Sequence, residues 1–540
     1  MPMLSIFCRK CSQLFTLTAI ILLLLCNMHG AAQNASLADS ARAAMLRATR
    51  YMTEDVSTRG GYVWYYLPDF SRRWGEMEAY ETMIWLQHPG TISVGHVLLD
   101  AYRATGEEYY YQAAQKAAAA IIWGQNHEGG WNYMIDFAGD RSLKEWYATI
   151  GKNGWRLEEF QYYYGNSTFD DDVSTDAARF LLRMYLQKMD PVYKPALFKA
   201  IDFILESQYP EGGWPQRYPL RYDFNKPGHP DYTSFYTFND DVTWENVNFL
   251  IECYLTLGQP RFLDPIFRGM NFYLISQDPS GGWGQQLDMD MKATAARTYE
   301  PRALLPGATF ENAMILLKFY TYSGDKKFLE PVPSAIRWLE QVRLPQEQTG
   351  EGRYTHSTFV DPDTQKPIYV HRKGSNVKYG FYYTDTLDSD LLGHYGGKCR
   401  IALDRLVSEY ERLLALTPVE ATTASPLKPG RFTHDGCPQD YYNLSPSRVS
   451  RQPDEKEVRG IIRALDQQSR WLVKHAMISN PYAGDGQKQD PVTTYATTNV
   501  GDETDTSPFR DTSDQLYLST GEFIRNMSWL IRFLQNQPDR

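Results

Sequence analysis

The chain has 540 residues, 43% of them hydrophobic and 14% aromatic, including 13 Trp and 38 Tyr. That supplies a large core and leaves rings over to line a carbohydrate cleft. The formal charge is −10, with no concentrated basic stripe, which argues against nucleic acid as a partner; an acidic protein can still hold an acidic polymer if its cleft contains Arg, Lys or a metal ion.

Taken in chain order, residues 1–32 have the pattern of a secretory signal. Arg9 and Lys10 give the basic start, Leu14 to Cys26 the apolar run, and Gly30, Ala31 and Ala32 the small residues around a cleavage site. The run is short for a transmembrane helix, and Leu25 before Cys26 weakens a lipoprotein reading. The expectation is a secreted or periplasmic monomer with no membrane contact once the signal is removed. Losing Arg9 and Lys10 takes the charge from −10 to −12. Cys8, Cys11 and Cys26 leave too; Cys253, Cys399 and Cys437 remain, too few and too scattered for a disulfide framework or a Cys/His metal site.

Helical periodicity then recurs at Ser36–Met52, Gly95–Ile122, Thr175–Gln187, Leu197–Gln208, Thr243–Leu257, Phe262–Gln277, Phe310–Ser323, Lys327–Val342 and Arg400–Leu416. Two late helices are expected near Glu457–Lys474 and Thr520–Leu534, and KPIYVHR is one of few strand signals. Gln-x-x-x-Gly-Gly-Trp occurs at Gln125–Trp131, Gln208–Trp214 and Gln277–Trp283, each time closing a helical stretch. A repeat that stops helices identically predicts helical hairpins around a common axis, with Gly taking positive φ at the exit and Trp folding back on the hairpin. The fold class expected is all-α, an incomplete α/α toroid with long loops and little β. Residues 33–416 form the toroid, 417–456 a Thr/Ser/Pro-rich linker, and 457–540 a helical extension that closes the ring.

Three loops carry candidate chemistry. NSTFDDDV places Asp170, Asp171 and Asp172 before a helix, and TFNDDV repeats the pattern with Asn239, Asp240 and Asp241. Helix capping uses one carboxylate; the others repel unless a cation lies among them, and hard oxygen ligands favour Ca²⁺. Both readings are open, and recurrence at two inner-helix starts favours a shared ion. The third loop carries Asp288, Arg297, Tyr299, Glu300 and Arg302, where Arg297 either pairs with Glu300 structurally or meets a substrate anion. The basic segment from Lys366 to Gly380, with His371, Arg372, Lys373 and Lys378, reads as a solvated edge strand on its own.

In order and spacing, ISVGHVLLDAYRATGEEYY, EGGWNYMIDF, STFDDDVST, EGGWPQRYP, TFNDD, GGWGQQLD, ARTYEP and KPIYVHRKG resemble the pectate lyases of polysaccharide lyase family ten, from about His88 to Gly397. The resemblance implies an exported enzyme on an α/α toroid that cleaves polygalacturonate by Ca²⁺-dependent anti-β-elimination. It implies Asp170, Asp171 and Asp240 as calcium-site acids, Arg297 as the Brønsted base and Arg372 as the holder of substrate carboxylates. Two departures stand out: Asp170-Asp171-Asp172 replaces the usual Asp-Asn-Gly, and Thr358 stands where a second substrate arginine is common. Competing readings are a two-carboxylate glycoside hydrolase of uronic-acid glycans, a catalytically weak carbohydrate-binding homologue, and a terpene cyclase, which shares such repeats but not the signal or the basic loop.

Overall fold

In a computed structural model, the structure describes residues 37–154, 158–221, 231–373, 381–389, 391, 396–428, 449, 451–474, 476–478, 509–510 and 515–535. The predicted signal, Cys437 and most of the predicted linker lie outside them. The helices are α1 (37–51, running into a π turn at Met52–Val56), α2 (Thr91–Thr105), α3 (Glu108–Trp123), α4 (Asp140–Thr149), α5 (Glu158–Gln161), α6 (Val173–Lys188), α7 (Lys194–Glu206), α8 (Val242–Leu257) and α9 (Leu263–Ile275). They continue as α10 (Pro306–Ser323), α11 (Val332–Gln341), α12 (Leu403–Leu414), α13 (Pro418–Ala421), α14 (Glu455–Ala464) and α15 (Thr520–Gln535). Helices α2 and α3, α6 and α7, α8 and α9, and α10 and α11 pack as hairpins. Neighbouring hairpins meet through α2 against α6 and α6 against α8, while α15 packs on α2. This is the α/α toroid arrangement, with sheet among the described residues limited to short two-stranded pairs, a four-stranded sheet of very short strands (Leu472–Val473, Tyr517–Ser519, Tyr65–Tyr66 and Arg73–Trp74) and a three-stranded one in which Pro367–Lys373 lies between Phe359–Val360 and Phe381–Asp385.

The repeated motif is the fastener between hairpins. Gln125 Nε2 donates to Gly129 O (2.7 Å) in its own turn and to Ala196 O (2.9 Å) at the start of the next outer helix. Gln208 does the same to Gly212 O and Pro265 O, and Gln277 to Gly281 O and Pro331 O. The first glycine of each pair has φ between 106° and 115°, and a Cβ there would lie 2.1–2.5 Å from a carbonyl oxygen of that next helix, so glycine is needed twice over. Each Trp is fully buried; Trp131 and Trp214 return Nε1–H to Ile121 O and Ile204 O, the carbonyls of the helices they follow.

Three predicted spans change. The stretch Gly95–Ile122 divides at Gly106, whose φ of 71° ends α2 before α3 starts. The predicted Glu457–Lys474 helix stops at Ala464, because Asp466 accepts from the backbone of Gln468 and Arg470 and turns the chain. The start of the predicted linker is helical, with Thr417 and Glu420 forming a capping box on α13. Cys253 and Cys399 are free thiols.

Candidate active site

Helices α6 and α8 begin alike. A two-residue strand, Ser167–Thr168 or Tyr236–Thr237, leads through a Phe and one further residue (Asp170 or Asn239) into two successive left-handed residues and then into the helix. These are Asp171 and Asp172 (φ 49° and 59°) in one copy and Asp240 and Asp241 (φ 50° and 55°) in the other. Non-glycine residues rarely adopt this conformation, and two in a row indicate a backbone held for its side chains. Asp172 and Asp241 occupy the N-cap positions but make no side-chain cap hydrogen bond. The capping reading therefore fails at both junctions.

Asp170 lies at the centre, 1% exposed. Its Oδ2 accepts from Tyr133 Oη (2.5 Å) and Arg297 Nη2 (2.8 Å), and its Oδ1 from Gln216 Nε2 (2.5 Å). Burial opposes its charge, but Arg297 and these donors outweigh that and hold the carboxyl at about 2. Arg297, 5% exposed, is ringed by carboxylates: Asp170, Glu300 Oε1 (3.1 Å), Glu159 Oε2 (3.3 Å) and Asp240 Oδ2 (3.9 Å). Burial alone would lower its proton affinity; Asp170 and Glu300 foremost hold it well above the ordinary arginine value. The Arg297–Glu300 pair and a cation in the cleft, alternatives in the sequence, coexist.

The remaining acids show the opposite strain. Desolvation and the Asp170 charge push Asp171 up to about 6, although Gln87 Nε2 donates to it at 2.6 Å. Burial and the charges of Asp170 and Asp171 push Asp240 well up. Glu159, buried beside Arg297, rises to about 7 chiefly through desolvation. Such shifts mark carboxylates crowded together with too little positive charge. Hard oxygen donors in surplus fit Ca²⁺ in kind and charge. Among the described residues, however, no three His, Cys, Asp or Glu side chains already converge as a metal cage, Asp170 being turned to Tyr133, Gln216 and Arg297.

The structure thus brings together Asp170, Asp171, Asp240 and Arg297. Arg372 lies in the strand Pro367–Lys373, its backbone opposite Tyr382; its side chain and that of Lys373 are outside what the structure describes, and Lys378 lies outside the described residues. Asp288 caps its own turn by accepting from the backbone of Asp290 and Lys292, and Arg302 pairs at the surface with Asp363 (2.7 Å). Thr358 donates Oγ1–H to Gly396 O (2.7 Å), a structural task. Sequence reasoning missed Glu159, Tyr133 and Gln216. A signal for the last two existed: each stands two residues after a repeat Trp, so the motif points a polar side chain into the site as well as fastening hairpins.

No described helix is long and apolar enough to cross a membrane. Residues 144–391, which include Asp170, Asp171, Asp240, Arg297 and Arg372, match the family model described as pectic acid lyase. No curated protein matches the chain. Among solved structures, a family 10 polysaccharide lyase from Cellvibrio cellulosa, a mutant in complex with trigalacturonic acid, is 17% identical, with 52% of this chain and 86% of that one covered and a TM-score of 0.34. A D-mannose isomerase is 13% identical (60% and 74% covered, TM-score 0.37). A type II terpene cyclase from Scytonema is 10% identical (93% and 98% covered, TM-score 0.30).

Proposed function

We propose, from the premise that residues 144–391 form a pectate-lyase-like domain, that this protein is an exported lyase that cleaves polygalacturonate by Ca²⁺-dependent β-elimination. The observation that carries the reading is Arg297, a buried guanidinium 2.8 Å from Asp170 and shared with Asp240 across two inner-helix starts. Elimination takes the C5 proton, α to a uronate carboxylate, and breaks the C4–O4 bond, leaving a 4,5-unsaturated sugar. The protein must supply a proton acceptor and cover for enolate-like charge, and no attacking water; the departing O4 takes a proton from solvent or from the protonated acceptor to become a hydroxyl.

Arg297 is assigned as the acceptor and Arg372 as the cation for substrate carboxylates. Arginine accepts a proton only as the neutral guanidine, and the carboxylates around Arg297 oppose that form. Bound among Asp170, Asp171 and Asp240, Ca²⁺ would supply positive charge that offsets those carboxylates and acidifies the C5 proton of a coordinated uronate. Tyr133 and Gln216 keep Asp170 oriented, and Gln87 does so for Asp171. Residues 1–32 support export of the enzyme.

One observation favours a second reading. Asp170 at about 2 and Glu159 at about 7 are carboxyls driven apart by their surroundings, the signature of a base and an acid in a glycoside hydrolase. The products separate the two. Purified protein incubated with polygalacturonate at alkaline pH should yield a calcium-dependent rise in absorbance from the unsaturated product. Saturated reducing ends formed with chelator present would replace the lyase by the hydrolase.

A further inference from the structure

At the end of the toroid where the acidic junctions lie, the first hairpin carries an aromatic and cationic ledge that the proposed chemistry does not use. Trp123 closes α3 and is 53% exposed. Its ring meets Phe137 (centroids 4.8 Å apart, planes at 47°), so part of it packs while the rest faces solvent. The guanidinium of Arg59 lies over the other partner, 5.1 Å from the Phe137 centroid. Lys116 and Trp123 are exposed seven residues apart on α3, hence on one helix face.

Neither the repeat nor the turn accounts for these residues. The position of Trp123, two before the motif Gln, holds Glu206 and Ile275 in the other copies, so the hairpin does not need a Trp there. Arg59 is the first central residue of a two-residue turn between Thr58 and Gly61, which exchange both backbone hydrogen bonds (2.9 and 3.0 Å). Both central residues have positive φ, 51° at Arg59 and 91° at Gly60. Such turns favour Asn, Asp or Gly at the first position, so arginine stands there against local preference. Gly60 seats the turn on α3, since a Cβ would lie 2.5 Å from Lys116 O.

We propose that Trp123, Phe137, Arg59 and Lys116 form a distal subsite for the acidic polysaccharide, rings against sugar faces and cations against uronate carboxylates. The proposal rests on the polygalacturonate reading and extends the substrate contact beyond the cleft. Phe137 is four residues from Tyr133, which holds Asp170, so by chain reach the ledge lies within about 14 Å of the tyrosine backbone. One polymer reaches both, whereas a trimer seated in the cleft does not need the ledge.

The test is affinity electrophoresis of the full chain in gels containing polygalacturonate, with turnover of polygalacturonate and of trigalacturonate measured alongside. Trp123→Ala should weaken retardation on the order of five-fold and raise KM for the polymer alike, leaving kcat and trimer turnover unchanged. Arg59→Asn suits the turn better, so its thermal midpoint should hold or rise while retardation falls. Unchanged retardation in both variants overturns the subsite. Loss in Trp123→Ala without loss in Arg59→Asn overturns the acidic occupant. Retardation requires no turnover: a protein held by the gel through Trp123 and Arg59 but forming no unsaturated product keeps the ledge and sinks the lyase reading.

Discussion

The segments Thr168–Val173 and Thr237–Val242 are nearly the same piece of backbone used for different ends. Aligned through their left-handed residues, Asp171 corresponds to Asp240 and Asp172 to Asp241, whereas Asp170 corresponds to Asn239. Asp170 takes donors from Tyr133, Gln216 and Arg297 and stays ionised at about 2. Asn239 instead donates Nδ2–H to Asp240 Oδ2 at 2.7 Å, steadying a neighbour. The repeat supplies a strained turn that turns acids toward the cleft, and one residue in it decides which copy anchors the arginine.

Removing that arginine breaks the comparison most severely. Arg297→Ala should lower the elimination rate by about 10²–10⁴-fold in an unsaturated-product assay. Arg297→Lys should not restore it, since a lysine cannot reproduce the fork that joins Asp170 to Glu300. Exchanging the distinguishing residues comes next. Asp170→Asn, which weakens charge-assisted hydrogen bonds from Arg297 and Tyr133, should cost about 2 kcal/mol in a denaturant titration. Asn239→Asp, at a half-buried position, should cost under about 1 kcal/mol; equal costs would mean the two junctions are equivalent after all.

Calcium sharpens the same contrast. At a hundredfold excess over its Kd, Ca²⁺ should stabilise the protein by about 2.7 kcal/mol and chelator should abolish turnover. Asp240→Asn should remove both effects, and a thermal midpoint indifferent to Ca²⁺ would argue against the metal.

The smallest expected effect is on pH dependence without metal. Asp171 and Glu159 have folded values of about 6 and 7, above the ordinary 3.8 and 4.5. Raised acids bind protons more tightly when folded, so their contribution is fully present below about pH 4 and is lost as pH rises through 6 to 7. Asp170 and Asp176, lowered to about 2, act the other way, and their contribution is lost as pH falls from about 4 toward 2. The thermal midpoint should therefore decline by a few degrees between pH 4 and 7, and Glu159→Gln should lessen the upper part of that decline, the remainder coming from Glu252, which burial also lifts to about 7.

What could be read from the chain follows from how local each feature is. The Gln-x-x-x-Gly-Gly-Trp motif was legible because helix exit, positive φ and Trp return are short-range, although the contact from Gln125 to Ala196 was not. Asp170, Asp171 and Asp240 were visible as excess acids at helix starts. Glu159 was not, since LEEFQ carries no pattern that separates a buried acid from a surface one. Apolar spacing persists through Gly106, so the sequence predicts Gly95–Ile122 as one helical span, whereas the left-handed φ of Gly106 ends α2.

By itself the sequence determined the helical hairpins, their repeated closure and the acid-rich junctions, all consequences of periodicity and backbone preference within a few residues. Only the tertiary structure decided what those acids face. Arg297 reaches Asp170 from 127 residues away. Tyr133 arrives from the loop after the α2–α3 hairpin and Gln216 from the loop after the α6–α7 hairpin. Packing the inner helices side by side gathers their starts at one end, where loss of solvent lifts Glu159 to about 7 while Arg297 and its hydrogen-bond donors, against the same loss, hold Asp170 at about 2. That convergence is set by long-range packing and desolvation, which no local pattern records.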